Sequence, residues 1–285
     1  MLQKRKYHIF AAVVLALYSM LLIFASNTKS SAESTFENER AARTHSTETK
    51  QTHNIKTKNP TNKPVASAQI LPFEIYTDGN LQTCKNIVSD TLSILPKDHV
   101  LGLKTINLTG KKMERRGYGG YGSIDLQCVD MDEMELIGVL IHEMGHITDI
   151  DFLIPREVNG TVSAFTDYNT PIPIDDKSVD FYSISWVNSS QMKPGAVKFD
   201  FVSLYAMTDP FEDFAETYTM YVLHGGQFRK MAEKNAALAE KYNFMKNNVF
   251  FGREFSNDSL YMNTAARIYD ATRLKFSLAK FFNRE

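Results

Sequence analysis

The sequence predicts an α+β domain in which a small mixed sheet packs on one buried helix and a mainly helical C-terminal lobe follows. Three observations carry this. Short strand-like segments lie between residues 99 and 126. The residues preceding His142 are apolar, as in a helix enclosed by the core. From residue 209 onward the spacing of apolar residues is helical.

The composition of the 285-residue chain is 43% hydrophobic and 23% charged, with a net charge of −1. That excludes a fully disordered chain, a collagen-like repeat and a multi-span membrane protein. A nucleic-acid partner is not expected, since there is no basic excess. Two cysteines exclude a disulfide scaffold and a four-thiolate metal site.

Charge and hydropathy are segregated along the chain. Lys4, Arg5 and Lys6 precede an uncharged run from Ile9 to Ala25. A basic cluster before an apolar run is a targeting device. The run of 17 residues sits at the lower limit of a bilayer span, roughly 17–25 residues, and exceeds a typical signal-peptide core of about 7–15. Residues 1–26 therefore read as a signal peptide or a signal anchor, and both place the bulk of the chain outside the cytoplasm. Residues 27–66 lack leucine and are rich in Ser, Thr, Asn and Lys. Such a segment buries too little apolar surface to offset the entropy of ordering it, and reads as a disordered linker. Residues 67–285 carry 22 basic and 29 acidic residues and form one acidic domain.

Within that domain, residues 80–94 read as a helix with Ile87, Leu92 and Ile94 inward, stopped by Pro96. His99 to Thr109 reads as a strand with Leu101, Leu103, Ile106 and Leu108 inward. Gly117 to Leu126 is a glycine-aromatic segment running into a short alternating strand. Asp132 to Thr148 is a helix, with Asp132 and Glu135 forming a capping box. Residues 155–200 hold four prolines and read as loops and short elements. Asp209 to Leu223 is a second strong helix, with Pro210 at its first position and Gly225 just beyond its end. Two further helices are expected near 227–247 and 259–282.

The chemistry sits on the two strong helices. Residues 140–149 contain His-Glu-x-x-His, namely His142, Glu143 and His146. Positions i and i+4 share a helix face, which brings two imidazoles to one zinc. Glu143 is placed beside the metal, where a carboxylate can take a proton from water. Gly145 costs the helix roughly 1 kcal/mol against alanine and implies a close neighbour, such as a sheet edge or a substrate.

A catalytic zinc needs a third protein ligand and an open position. Neither Cys84 nor Cys128 lies in a ligand-like motif, and no histidine follows His146 at the metzincin spacing. The remaining candidates are Glu212, Asp213 and Glu216, acidic residues on an otherwise apolar helix, where each needs a partner. Glu212 and Glu216 face the same way, so one can bind zinc while the other holds a ligand imidazole. Glu212 also fits a capping box with Asp209, and the two roles compete for one carboxylate.

The segment HEMGHITD at 142–149, followed by Tyr205 and the run EDFAE at 212–216, resembles the gluzincin metallopeptidases of the anthrax lethal factor type, a group that includes the Pro-Pro endopeptidases. That family pairs HExxH with a later E-x-F-A-E segment and a tyrosine seven residues before it, the spacing of Tyr205 and Glu212. The resemblance covers roughly residues 100–225 and does not extend to the toxin's large substrate-binding domains. It implies a zincin-like domain with zinc ligands His142, His146 and Glu212 and with Glu143 as general base. It further implies Tyr205 as a phenol donor to the transition-state oxyanion, with Glu216 and Asp149 supporting the ligands from behind. A donor of this kind is typically worth about 2.7–4 kcal/mol.

The stretch Gly117 to Gly122 has two readings. Gly119, Gly120 and Tyr121 form either a sheet edge that takes an extended peptide through its backbone, or a flexible hairpin. It is no nucleotide signature, since it opens no helix. Cys84 and Cys128 either pair or remain buried thiols. Asn107, Asn159, Asn188 and Asn257 head glycosylation sequons, which matter only in a secretory eukaryotic host. His99 and His224 read as structural or surface residues, and Trp186 as a cleft-lining residue or a core anchor. The function expected from these residues is zinc-dependent hydrolysis of a protein or peptide by a secreted or membrane-anchored monomer. A zinc-stabilised surface binding module and a hydrolase of non-peptide amides are the alternatives.

Overall fold

Residues 72–153, 160–260 and 267–283 are described by a computed structural model of the chain. They belong to a unit that spans residues 67–285. The targeting segment, the linker and the sequon at Asn159 lie outside the described residues. No helix among the described residues is long and apolar enough to cross a membrane.

The chain opens with strand β1 (Glu74–Thr77), helix α1 (Gln82–Ile94) and a short helix α2 (Lys97–Leu101). Strands β2 (Thr105–Thr109), β3 (Gly117–Gly120) and β4 (Ser123–Gln127) follow. They make one mixed sheet in the order β1-β2-β4-β3. The pairs β1–β2 and β2–β4 are parallel, while β3 runs antiparallel to β4 at the edge. Ile106 and Leu108 of β2 and Ile124 and Leu126 of β4 alternate inward and are fully buried, the period-2 pattern of a half-covered sheet. The disulfide Cys84–Cys128 fastens α1 to the end of β4 and settles the two open readings of these cysteines.

Helix α3 (Glu133–Ile147) packs across this sheet and is capped by Asp132, whose side chain accepts from the Glu135 N–H. Residues 155–200 hold a two-stranded hairpin of β5 (Val162–Asp167) and β6 (Thr170–Pro173), helix α4 (Lys177–Ser185), and a small ribbon of β7 (Trp186–Asn188) and β8 (Gln191–Met192). The helical lobe consists of α5 (Pro210–Ala232) and α6 (Ala236–Phe244), and the chain closes with α7 (Leu278–Phe281).

The structure corrects three local expectations. Residues 99–101 are helical rather than extended, because the chain re-enters a helix directly after Pro96. Leu101 consequently points outward at 65% exposure. His99 is instead buried between the Tyr218 hydroxyl at 2.8 Å and the Val249 carbonyl at 2.9 Å. Burial lowers its pKa to about 4, so it serves the core as a neutral ring.

Second, α5 does not stop at Gly225. It bends at His224 (φ −137°, ψ 32°) and continues to Ala232. Gly225 is needed there because a side chain would meet the Phe255 carbonyl oxygen at 2.1 Å. A sequence-level stop signal was thus a packing requirement. Third, the helix expected over 259–282 is largely replaced. Ser259 bridges to Phe276, a 3-10 turn covers Ala271–Arg273, and only Leu278–Phe281 is α-helical among the described residues. Trp186 is a core anchor, buried edge-on against Phe201 with its indole N–H on Asp213.

Candidate metal centre

Helices α3 and α5 cross at Gly145, where a Cβ would lie 2.8 Å from the Ala215 Cα. The close neighbour that Gly145 implied is thus α5, rather than a sheet edge or a substrate. This contact brings the HExxH face against the acidic face of α5.

Asp209 caps α5 by accepting from the N–H groups of Phe211 at 3.0 Å and Glu212 at 2.9 Å. The Glu212 carboxylate turns instead to the histidines. Its Oε2 lies 3.1 Å from His142 Nε2 and 3.5 Å from His146 Nε2. Its Oε1 accepts from the Tyr205 hydroxyl at 3.0 Å. Glu216, one turn on, is fully buried and places Oε1 3.0 Å from His142 Nδ1. Its Oε2 accepts from the Ala271 N–H at 2.7 Å.

His142, His146 and Glu212 form a group that could bind a metal ion, with their donor atoms all within 4.8 Å of one another. Two imidazole nitrogens and a carboxylate oxygen are a donor set that suits a divalent cation. The electrostatics tie these residues to one another. Burial disfavours a charged imidazole, but hydrogen bonds to Glu212 and Glu216 outweigh it and raise the His142 pKa well above its usual value. Burial likewise opposes an ionised Glu212, yet the hydrogen bonds from both histidines hold it well below the ordinary carboxylate range. The carboxylate is thus kept ionised in a buried place, and a cation bound here would take the place of the proton that the raised His142 pKa favours.

Glu143 is also buried and lies beneath the edge strand. A Cβ at Gly117 would come within 2.5 Å of Glu143 Oε1, and one at Gly119 within 2.7 Å of the Glu143 carbonyl oxygen. Burial raises the Glu143 carboxyl above its usual pKa, and the two imidazoles partly offset this. The glycines thus let β3 sit directly on Glu143, a role that neither sequence reading of this stretch contained. Gly119, Gly120 and Tyr121 line the same cleft as His142, Glu143 and His146. The Tyr121 hydroxyl reaches across to Asp167 at 2.5 Å.

Asp149 lies on the same cleft, but its carboxylate accepts from the Tyr182 hydroxyl at 2.5 Å rather than from His142 or His146. Burial pushes its carboxyl up to about 7.

The third acid on α5, Asp213, has a partner the sequence did not name. Lys241 of α6 donates to both its oxygens, at 2.9 and 2.6 Å, and both residues are fully buried. Burial acts against both charges, raising the Asp213 carboxyl and lowering the Lys241 ammonium, so the pair itself adds little stability. Breaking one side is costly, because the other charge is left buried alone. Lys241→Met is expected to lower stability by about 3–5 kcal/mol, read as a shift of the urea unfolding midpoint. An unchanged midpoint would remove this pair as the anchor of α5.

No family model, curated protein or solved structure matches the chain.

Proposed function

We propose that this chain is a zinc-dependent endopeptidase built on a zincin-like domain. The observation that carries the reading is the meeting of His142, His146 and Glu212 around one point, with the Glu143 carboxylate buried beside them on an accessible cleft. Three protein donors suit a catalytic ion, since structural zinc sites usually have four. Glu143, which a purely structural site would not need, also favours an enzyme over a binding module.

Zinc held by these ligands supplies Lewis-acid polarisation of a carbonyl and acidification of water. The rest of the chemistry belongs to the chain. Glu143 takes the proton from the attacking water and returns it to the leaving amine. The Tyr205 hydroxyl, now on Glu212, is the donor for negative charge developing on the scissile carbonyl oxygen. Glu216 fixes the His142 ring so that Nε2 faces the ligand point. The substrate is a protein or peptide lying along β3. The Cys84–Cys128 disulfide supports an oxidising compartment, in line with a secreted or membrane-anchored enzyme.

Incubation with a peptide library, followed by mass-spectrometric mapping of new termini, tests this. Metal-dependent internal cuts are the expected result. Intact peptides at full zinc loading would leave the domain without peptidase activity.

A further inference from the structure

Residues 268–273 pass beside the metal centre and touch it at several points. The Ile268 carbonyl accepts from the Leu204 N–H at 2.8 Å, and the Tyr269 carbonyl accepts from the Tyr205 N–H at 2.7 Å. The Ala271 N–H donates to Glu216 Oε2. The Thr272 carbonyl oxygen lies 2.4 Å from where a Cβ at Gly138 of α3 would stand. One short stretch of backbone therefore holds the segment bearing Tyr205, the carboxylate behind His142 and the metal helix itself.

Asp270 shapes this stretch. Its Oδ1 accepts from the Thr272 N–H at 2.8 Å and the Thr272 hydroxyl at 2.6 Å, capping the turn Ala271–Arg273. Its Oδ2 pairs with Arg116, which also reaches Glu135 in the first turn of α3 at 2.6 Å. Asp270 is only 8% exposed, and these partners supply the hydrogen bonds and the opposite charge that a buried carboxylate requires.

We infer that Asp270 is a positioning residue for the metal centre, acting through the Ala271 N–H that it presents to Glu216. The inference rests on the reading of His142, His146 and Glu212 as metal ligands. The two oxygens of Glu216 divide their roles, with Oε1 orienting His142 and Oε2 held by Ala271. Without the second bond the carboxylate is free to turn, and the imidazole with it. A backbone N–H suits this position because it holds the carboxylate without adding a cation that would compete with His142 for its charge. Partners behind metal ligands typically change metal affinity by about 10–100-fold when removed.

Two substitutions separate the steps. Ala271→Pro replaces the N–H by a ring carbon directed at Glu216 Oε2, so it breaks that bond and displaces the carboxylate, while proline itself is accepted at the first position of a helical turn. Asp270 before it is already extended (φ −148°, ψ 124°), as the residue preceding a proline prefers. Asp270→Ala removes the cap and the Arg116 partner together. Asp270→Asn keeps an oxygen for the Thr272 N–H and serves as the conservative rescue.

The measurements, on the full chain, are the zinc dissociation constant by chelator competition and the visible spectrum of the cobalt-substituted protein. Circular dichroism checks folding. Ala271→Pro and Asp270→Ala are expected to weaken zinc by about 10–100-fold and to alter the cobalt spectrum, with Asp270→Asn closer to the parent. If Ala271→Pro does not fold, the two Asp270 variants carry the test. A folded Asp270→Ala protein with parental zinc affinity and an unchanged cobalt spectrum would overturn the inference. Failure of the parent chain to bind zinc would instead overturn the ligand assignment, and the same titration distinguishes the two.

Discussion

Replacing Glu143 by Gln is expected to leave zinc content unchanged and to lower peptide hydrolysis by about 10²–10⁴. The substitution keeps the size and shape of the side chain but removes its capacity to accept a proton. Shape matters here because Glu143 is enclosed. Val139 lies on its own helix face, and Gly117 and Gly119 of β3 approach its carboxyl and backbone too closely for any side chain to intervene. Gln fits that space, so the fold and the ligands on the same helix are undisturbed. Metal analysis and turnover are measured on the same preparation. A variant that hydrolyses as fast as the parent would show that Glu143 is not the base.

Changing His142, His146 or Glu212 to Ala is expected to reduce bound zinc from one per chain to almost none, and activity with it. Each substitution removes one of only three donors. Glu212→Ala does more, because its Oε2 faces both imidazoles and its Oε1 holds Tyr205. Glu216→Ala should be milder, weakening zinc by about 10–100-fold without abolishing it, since its carboxylate touches His142 only at Nδ1. Elemental analysis of the purified variants decides the matter. Full occupancy in any of the first three would strike that residue from the ligand set.

The histidine half of the candidate metal centre was legible because it is local. His142 and His146 meet through helix periodicity alone, and the capping roles of Asp132 and Asp209 follow from residues three apart. The buried strands showed in the alternation at Ile106, Leu108, Ile124 and Leu126. What escaped was decided by distant partners. Lys241 reads as an ordinary surface lysine in a helix, and only the arrival of α6 beside Asp213 buries it. Asp213 needed a partner, as its apolar surroundings implied, but a cation from another helix met that need. Ala271 offers only a backbone N–H, which no residue pattern announces. Gly225 resembled a helix terminator, and its reason lies in the passage of Phe255 more than two dozen residues later.

The crossing of α3 and α5 at Gly145 and Ala215 has one more consequence. Gly145 contributes no side chain there and Ala215 only a methyl group, so the two backbones approach closely. His146 follows Gly145 directly, and Glu212 precedes Ala215 by less than one turn. The distance between the helices therefore sets how far the His146 and Glu212 side chains must reach to meet. A larger residue in place of Gly145 would push the helices apart and carry the two donor groups away from each other, so the scaffold as well as the side chains governs their spacing.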